Sequence, residues 1–171
     1  MLKEKVLNIL NEQINAEQYS ALLYLSMSAW FEEKGLPGFA NWMYVQYQEE
    51  LTHANKIFKY LAERGGRIEL KAIEQMPTEF ENVVSVAEMT LEHEQHVTAL
   101  INKCVDVAIE ERDHATQSFL RWFVDEQVEE EANVSEILDN LKLISGKGNG
   151  LFMIDRELRQ RTFVDETQGE E

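Results

Sequence analysis

The sequence is poor in cysteine, proline and long apolar runs. It contains one cysteine, Cys104, and two prolines among 171 residues. A single cysteine cannot form an internal disulfide, so we expect a reducing, cytoplasmic setting. No apolar run approaches the roughly 20 residues that span a bilayer, and the N-terminus does not resemble a signal peptide. We therefore expect no membrane partner.

Basic residues are also scarce. The chain carries 16 Lys and Arg against 32 Asp and Glu, which gives a formal net charge of −16 at pH 7. Such a charge argues against nucleic acid as a partner and favours cations. On overall charge alone, a solvated acidic surface is the more ordinary explanation. The positions of the acidic residues must therefore decide between the two.

What the sequence does contain is mostly helix-forming residues with a helical period. In four segments of about 30 residues, apolar residues recur at alternating spacings of three and four, which predicts helices with one buried face each. A shorter fifth helix is predicted after the glycine-rich loop 146–150. We expect one domain over residues 1–163 and a flexible acidic tail over residues 164–171.

The connection between the second and third helices, residues 67–81, determines the predicted topology. A helix of about 30 residues is ~45 Å long, and about 15 extended residues reach roughly 50 Å. This connection can therefore return along the whole bundle and make helices two and three parallel. We predict an all-α, up-down-down-up four-helix bundle with a long crossover and a short fifth C-terminal helix. We expect the apolar face of that fifth helix to pack between subunits.

Polar residues interrupt each of the four predicted apolar faces near its middle. They are Glu17 in the first helix, Glu50 and His53 in the second, Glu94 in the third, and Gln127 and Glu130 in the fourth. Aligned helices bring these side chains into one layer of the core, where four unpaired carboxylates would consume most of a typical ~5 to 15 kcal/mol stability. No Lys or Arg occupies that layer, so bound cations explain it better than a satisfied polar layer or several protonated acids.

The types of side chain in this layer indicate which metal they would bind. Carboxylate oxygens with one imidazole and no thiolate disfavour structural zinc and suit iron or manganese. Glu50 and His53 lie three residues apart on one helix face, so both can reach the same centre. Glu50 is placed to bridge two metals, and two irons could each give one electron to oxygen.

Residues 48–54 (QEELTHA), Glu94 and residues 127–130 (QVEE) together resemble the bacterial non-haem ferritins. The resemblance extends over essentially the whole chain. It implies an iron-storage subunit with ferroxidase activity, which oxidises Fe(II) with O2 or H2O2 and stores a ferric mineral. It also implies a homo-oligomeric cage of twenty-four subunits.

The same resemblance assigns residues to iron sites. One iron would be bound by Glu17, Glu50 and His53, and the second by Glu50, Glu94 and Glu130 with Gln127 close to both. A third, inner-side iron site would take Glu49, Glu126 and Glu129 together with Glu130. Tyr24 and Trp122 match aromatic residues beside the two irons, and the Tyr24 phenol could donate a hydrogen bond or an electron. Asp113 and His114 would border a channel for iron, although helix capping explains Asp113 equally well.

At two positions the sequence differs from neighbouring families, and these differences narrow the range of expected functions. Gln127-x-x-Glu130 stands where bacterioferritins and oxygen-activating diiron enzymes carry a second Glu-x-x-His, which favours storage over a fixed cofactor. Leu51 stands where bacterioferritins place a haem-ligating Met, so we expect no haem. The alternative function is that of a diiron oxidase or peroxidase with a fixed diiron cofactor.

Overall fold

Five helices make up the computed structural model, which describes residues 2–165 and residue 167. They are α1 (Glu4–Glu33), α2 (Pro37–Glu63), α3 (Val83–Glu110), α4 (His114–Leu143) and α5 (Gly148–Leu158). Over the described residues there is no β-strand, and no helix combines the length and hydropathy needed to cross a membrane. The helix α1 packs along α2 and against α3, and α3 packs along α4. The predicted all-α bundle with a short fifth helix is confirmed.

The helix ends follow from local sequence signals. Gly35 has φ +71° after the end of α1, and Pro37 begins α2, where a missing N–H costs nothing. Asn82 caps α3 by accepting from the Ser85 backbone N–H at 3.0 Å. The long crossover between α2 and α3 is held against α1, because the Asn11 amide donates to the Arg67 carbonyl at 3.0 Å.

Two apolar clusters fill the bundle on either side of a polar layer. One cluster includes Tyr24, Phe31, Phe39, Met43, Val86, Ala87, Val134 and Leu141. The other includes Leu10, Ile14, Ile57, Leu61, Val97, Ile101, Leu120 and Phe123. Along every helix, the polar residues singled out by the sequence lie between members of these two clusters. Burial of the clusters supplies the hydrophobic free energy that offsets the cost of burying carboxylates.

The helix α5 packs onto its own bundle. Its residues Leu151, Ile154 and Leu158 lie against the cluster that contains Phe31 and Phe39. This apolar face is therefore partly covered by its own bundle, and its packing between subunits stays a prediction. The turn between α1 and α2 leaves an apolar surface at the start of α2, and α5 covers that surface. The apolar residues that α5 leaves exposed are Phe152 and Met153, which are 62% and 70% exposed.

Asp155 fixes the close approach of α5 to α2. Its buried Oδ1 accepts hydrogen bonds from the backbone N–H groups of Gly38 at 2.8 Å and Phe39 at 3.1 Å. A Cβ at Gly38 would lie 1.6 Å from the Asp155 carbonyl oxygen, so only glycine permits this contact. Asp155 thus satisfies two N–H groups in the first turn of α2, which have no partner within that helix.

Residues beyond α5 lie along α2, because Val164 and Asp165 line pockets together with residues of that helix. Val164 is 60% exposed, and Asp165 Oδ1 accepts from the Thr167 backbone N–H at 3.1 Å. Of the predicted acidic tail, residues 166 and 168–171 lie outside the described residues, as does Met1. The boundary between a domain ending at residue 163 and a flexible tail stays a prediction.

Candidate metal centre

The structure brings together all six polar residues that interrupt the predicted apolar faces. They are Glu17, Glu50, His53, Glu94, Gln127 and Glu130, and each is at most 5% exposed. The mid-helix position of each residue places it in this layer because α1 to α4 pack side by side. The layer is therefore fully internal, as the spacing predicted.

Three of these residues form a compact ligand set. Glu17, Glu50 and His53 each offer one ligand atom, and these atoms lie within 4.8 Å of one another. His53 Nδ1 lies 3.5 Å from Glu50 Oε2, and Glu17 Oε1 accepts a hydrogen bond from Gln13 Nε2 at 2.9 Å. The geometry suits a single cation held by two carboxylates and an imidazole.

Two carboxylate oxygens in this set have no hydrogen-bond donor among the described residues. They are Glu17 Oε2 and Glu50 Oε2, and both are buried. A buried acceptor without a partner costs about 1–3 kcal/mol, and more when it is charged. A cation between the two carboxylates would satisfy both oxygens at once. These two buried oxygens without a donor are the observation that indicates a metal site.

The other half of the layer is held by hydrogen bonds to Glu94 and Glu130. The Tyr24 hydroxyl donates to Glu94 Oε1, and Gln127 Nε2 donates to Glu94 Oε2 at 3.2 Å. Glu130 Oε2 accepts from Gln46 Nε2 at 2.8 Å. The amide nitrogen of Gln127 therefore orients Glu94, while its role as a metal ligand stays a prediction.

Burial and mutual repulsion raise the pKa values of three carboxyl groups of the layer, those of Glu17, Glu50 and Glu94. Burial, followed by the charge of Glu50, raises the pKa of Glu17 to about 8. Burial, followed by the charge of Glu130, raises the pKa of Glu94 to about 8. The pKa of Glu50 is raised well above its usual value, by burial and then by Glu94 and Glu130. Binding of cations would therefore release protons.

A small cavity of about 40 Å³ lies beside this layer, between α2 and α4. Its walls include all four residues predicted for an inner-side site, Glu49, Glu126, Glu129 and Glu130, together with His53, Trp122 and Arg161. Glu49 Oε2 accepts from Arg161 Nη2 at 2.7 Å. Glu130 belongs to both the cavity and the buried layer, so it connects the two.

Aromatic residues border the centre on two sides. Trp122 packs its ring edge against His53, with centroids 5.4 Å apart, and Lys56 Nζ lies 4.3 Å from the Trp122 centroid. On the other side, the ring of Tyr24 meets His93 edge-on at 5.8 Å. Trp122 and Tyr24 therefore lie beside the centre, as expected.

Sequence reasoning missed three residues that hold the centre in place. Gln13 and Gln46 each donate to a carboxylate of the layer, and their helical position gave a signal, because a fully buried amide needs partners. Arg161 gave none, because it belongs to no periodic segment.

His93 is a further residue to which the sequence assigned no role. Its Nε2 lies 2.8 Å from Ser20 Oγ. Burial, followed by the charge of His96, lowers the pKa of His93 to about 4.

Asp113, which the sequence left between a helix cap and a channel residue, is a cap and an ion-pair partner. Its Oδ1 accepts from the Thr116 backbone N–H at 3.1 Å, and Arg64 Nη2 lies 3.0 Å from its Oδ2. The site as a whole is a candidate cation-binding centre inside a helix bundle, built from carboxylates and one imidazole.

Comparison with known proteins agrees with this class. Residues 7–144 match the family model described as a ferritin-like domain. The bacterial non-haem ferritin of Bacteroides fragilis is 47% identical over 161 residues, which cover 94% of this chain and all of the relative. That of Campylobacter jejuni is 42% identical over 159 residues, which cover 93% of this chain and 95% of the relative.

Solved structures give the same result. A ferritin of Archaeoglobus fulgidus engineered into a closed form superposes with a TM-score of 0.94 at 48% identity, covering 96% of this chain and all of that one. The open-pore ferritin of the same archaeon superposes with a TM-score of 0.93 at 48% identity, covering 95% of this chain and 99% of that one. The chain therefore belongs to the ferritin family, with the bacterial non-haem ferritins as its relatives.

Proposed function

We propose that this chain is an iron-storage subunit with ferroxidase activity, which oxidises Fe(II) in the buried layer and passes Fe(III) on to a mineral. The observation that carries the proposal is the set of Glu17, Glu50 and His53, with its two unpartnered carboxylate oxygens inside an apolar bundle. Ionised carboxylates buried in this way are costly unless their charge is compensated, and a bound cation would compensate it while satisfying both oxygens. Membership of the ferritin family supports iron as that cation.

In this proposal iron is the substrate, and the layer holds two Fe(II) ions at a time. Glu17, Glu50 and His53 bind the first ion, and Glu50, Glu94 and Glu130 bind the second, with Glu50 shared. Two Fe(II) ions supply the two electrons that reduce O2 to H2O2, or H2O2 to water, and two protons are taken up. Gln127 and Tyr24 orient Glu94 through their hydrogen bonds.

The acidic cavity provides a route out of the layer. Glu130 lines the cavity together with Glu49, Glu126 and Glu129, which we assign to a third iron site on that side. An Fe(III) ion leaving Glu130 would meet further carboxylates before it reached solvent. No haem is needed in this scheme. We further propose that the chain assembles as a cytoplasmic homo-oligomer of twenty-four subunits, with residues 1–163 as its folded domain.

The first test is aerobic addition of Fe(II) to the metal-free protein, followed by ferric absorbance. The wild type should oxidise Fe(II) rapidly, whereas Glu50→Ala and His53→Ala should slow the initial rate by at least the 10- to 100-fold typical of damage to metal sites. Glu92→Ala removes an exposed carboxylate from α3 and serves as the matched control. Size exclusion on the same samples should show unchanged assembly.

The number of irons oxidised separates the two candidate functions. Many irons per subunit, retained in a large particle, would support storage. Oxidation that stops at about two irons per subunit would indicate a diiron oxidase or peroxidase with a fixed cofactor. Equal rates in the wild type and Glu50→Ala would refute the assignment of the buried layer.

A further inference from the structure

The segment that follows α5, residues 159–165 (here the C-terminal segment), is fastened along α2. Asn41 Nδ2 donates to the carbonyl oxygens of Leu158 at 3.2 Å and Arg161 at 2.9 Å. The guanidinium carbon of Arg161 lies 4.9 Å from the centroid of the Trp42 ring. These contacts hold both the backbone and the guanidinium of Arg161, so the guanidinium is preorganised.

That guanidinium bonds two side chains of α2. Its Nη1 donates to Gln46 Oε1 at 2.5 Å, and its Nη2 donates to Glu49 Oε2 at 2.7 Å. Positions 46 and 49 lie three residues apart, on one face of the helix, which matches the spread of the guanidinium fork. The Arg161 side chain is 24% exposed and that of Glu49 is 18% exposed, so water competes weakly for this pair.

Gln46 links the Arg161 guanidinium to the buried layer through hydrogen bonds at both ends of its side-chain amide. Its side chain is fully buried, and its Nε2 donates to Glu130 Oε2 at 2.8 Å. An arginine can only donate, so Gln46 must turn its oxygen toward Arg161 and its NH2 group toward Glu130. Without Arg161, the amide could reverse and present its oxygen to the carboxylate, which would repel it.

We propose that Arg161 is a positioning residue for Glu130 and acts through Gln46, so that docking of the C-terminal segment sets the geometry of the second cation site. The inference rests on the proposed function, in which Glu130 binds the second Fe(II). It assigns a role in the iron site to a segment that lies outside the four-helix bundle. Over the described residues, the hydrogen bonds of this relay reach Glu49 and Glu130, and none of them reaches Glu17, Glu50 or His53 of the first site.

The test is calorimetric titration of the metal-free oligomer with Zn2+, which binds without redox chemistry. The wild type should bind a first and a second cation in the layer, and Glu94→Ala identifies the second by its loss, because Glu94 belongs to that site alone. Arg161→Ala should weaken binding of the second cation by about 10- to 100-fold and leave binding of the first unchanged. Arg159→Ala removes the same charge from an exposed position two residues away and should match the wild type.

Gln46→Leu separates the relay from the contact with Glu49, because it leaves the Arg161–Glu49 pair in place. Gln46→Leu should weaken binding of the second cation as Arg161→Ala does. The double variant Arg161→Ala, Gln46→Leu should show little further loss of affinity. Thermal unfolding and size exclusion on each variant report whether the fold is retained, and Gln46→Ala repeats the test if Gln46→Leu does not fold.

Three outcomes would overturn the inference and leave the proposed function standing. An unchanged second cation in Arg161→Ala would show that the relay does not position Glu130. Equal weakening of both cations would show a general structural role, and additive effects in the double variant would show that Arg161 does not act through Gln46. A wild type that binds no cation in the layer would refute the proposed function itself, and the inference would fall with it.

Discussion

Tyr24 shows how one hydroxyl can tune the centre at the scale of a single residue. Its ring is fully buried in an apolar cluster, and its hydroxyl donates to Glu94. Burial and the charge of Glu94 raise the pKa of Tyr24 well above its usual value, so the phenol stays protonated and remains a donor. The same hydrogen bond favours the ionised form of Glu94, against burial and the charge of Glu130.

Replacement of Tyr24 by Phe should move the pH at which the second cation binds. Loss of the hydroxyl removes a donor to Glu94, so the pKa of Glu94 rises further and a higher pH is needed to deprotonate it for binding. Titrations with Zn2+ at a series of pH values between about 6 and 8 measure this change. The pH at which binding of the second cation is half-maximal should be higher in the variant, and that of the first cation should change less.

Tyr44→Phe is the matched control, because it removes a hydroxyl from a side chain that is 46% exposed on α2. An unshifted midpoint in Tyr24→Phe would mean that Tyr24 only fills space in the cluster. A shift shared with Tyr44→Phe would mean that the effect does not come from the bond to Glu94.

Asp113 is a polar residue at a turn that serves a structural role. Partial burial opposes ionisation of Asp113, but hydrogen bonds from Arg64 and Thr116 outweigh it and lower the pKa of the carboxyl. The aromatic ring of Tyr60 stacks on Phe119 beside this pair, with centroids 3.9 Å apart. The carboxylate therefore joins the end of α2 to the start of α4.

At the scale of an element, α5 acts as a clamp on the start of α2. Replacing Asp155 by Ala should leave the N–H groups of Gly38 and Phe39 without their acceptor. Loss of a helix cap typically costs about 0.5–2 kcal/mol, so the melting temperature should fall by a few degrees. Thermal unfolding of the metal-free protein measures this change.

Glu157→Ala is the control for that experiment, because it removes an exposed acidic residue from the same helix. A melting temperature of Asp155→Ala equal to that of the control would show that α5 is not held through Asp155. Gly38→Ala gives an independent check, since its added Cβ would collide with the Asp155 carbonyl and should also destabilise the protein.

The helices and the buried layer could be predicted from the sequence because both depend on local periodicity. A carboxylate in the middle of an apolar face, such as Glu17 or Glu94, needs no tertiary detail to be noticed. The docking of α5 could not be predicted, because it depends on a backbone approach that only the missing Cβ of Gly38 allows. Arg161 could not be predicted either, because it belongs to no periodic segment and its partners are more than 100 residues away in the chain.

The whole molecule balances two apolar clusters against a buried acidic layer. The clusters contribute hydrophobic stability on both sides, and the layer between them reduces it unless protons or cations compensate the charge. Protons and cations therefore compete for the same oxygens. The stability of the protein should depend on both, and the direction of each dependence follows from the pKa values of the layer.

The metal-free protein should lose stability as the pH rises from about 5 to about 8. A glutamate side chain in the unfolded protein has its ordinary pKa of 4.5, whereas in the folded chain the pKa values of Glu17 and Glu94 are both raised to about 8. Between these values the folded state holds more protons than the unfolded state, so the free energy of unfolding falls as the pH rises. The melting temperature should therefore fall by several degrees over this range.

Addition of Zn2+ should reverse this loss most strongly at the upper end of the range. A cation that binds only the folded state stabilises it, and it binds more tightly once the carboxyl protons have left. The double variant Glu17→Gln, Glu94→Gln removes two of the titrating groups, so its metal-free melting temperature should vary less with pH than that of the wild type. If the wild type and the double variant lost stability in parallel, the pH dependence would come from the acidic surface and not from the buried layer. A Zn2+ effect equal at both ends of the pH range would likewise mean that these carboxyls do not exchange protons for cations.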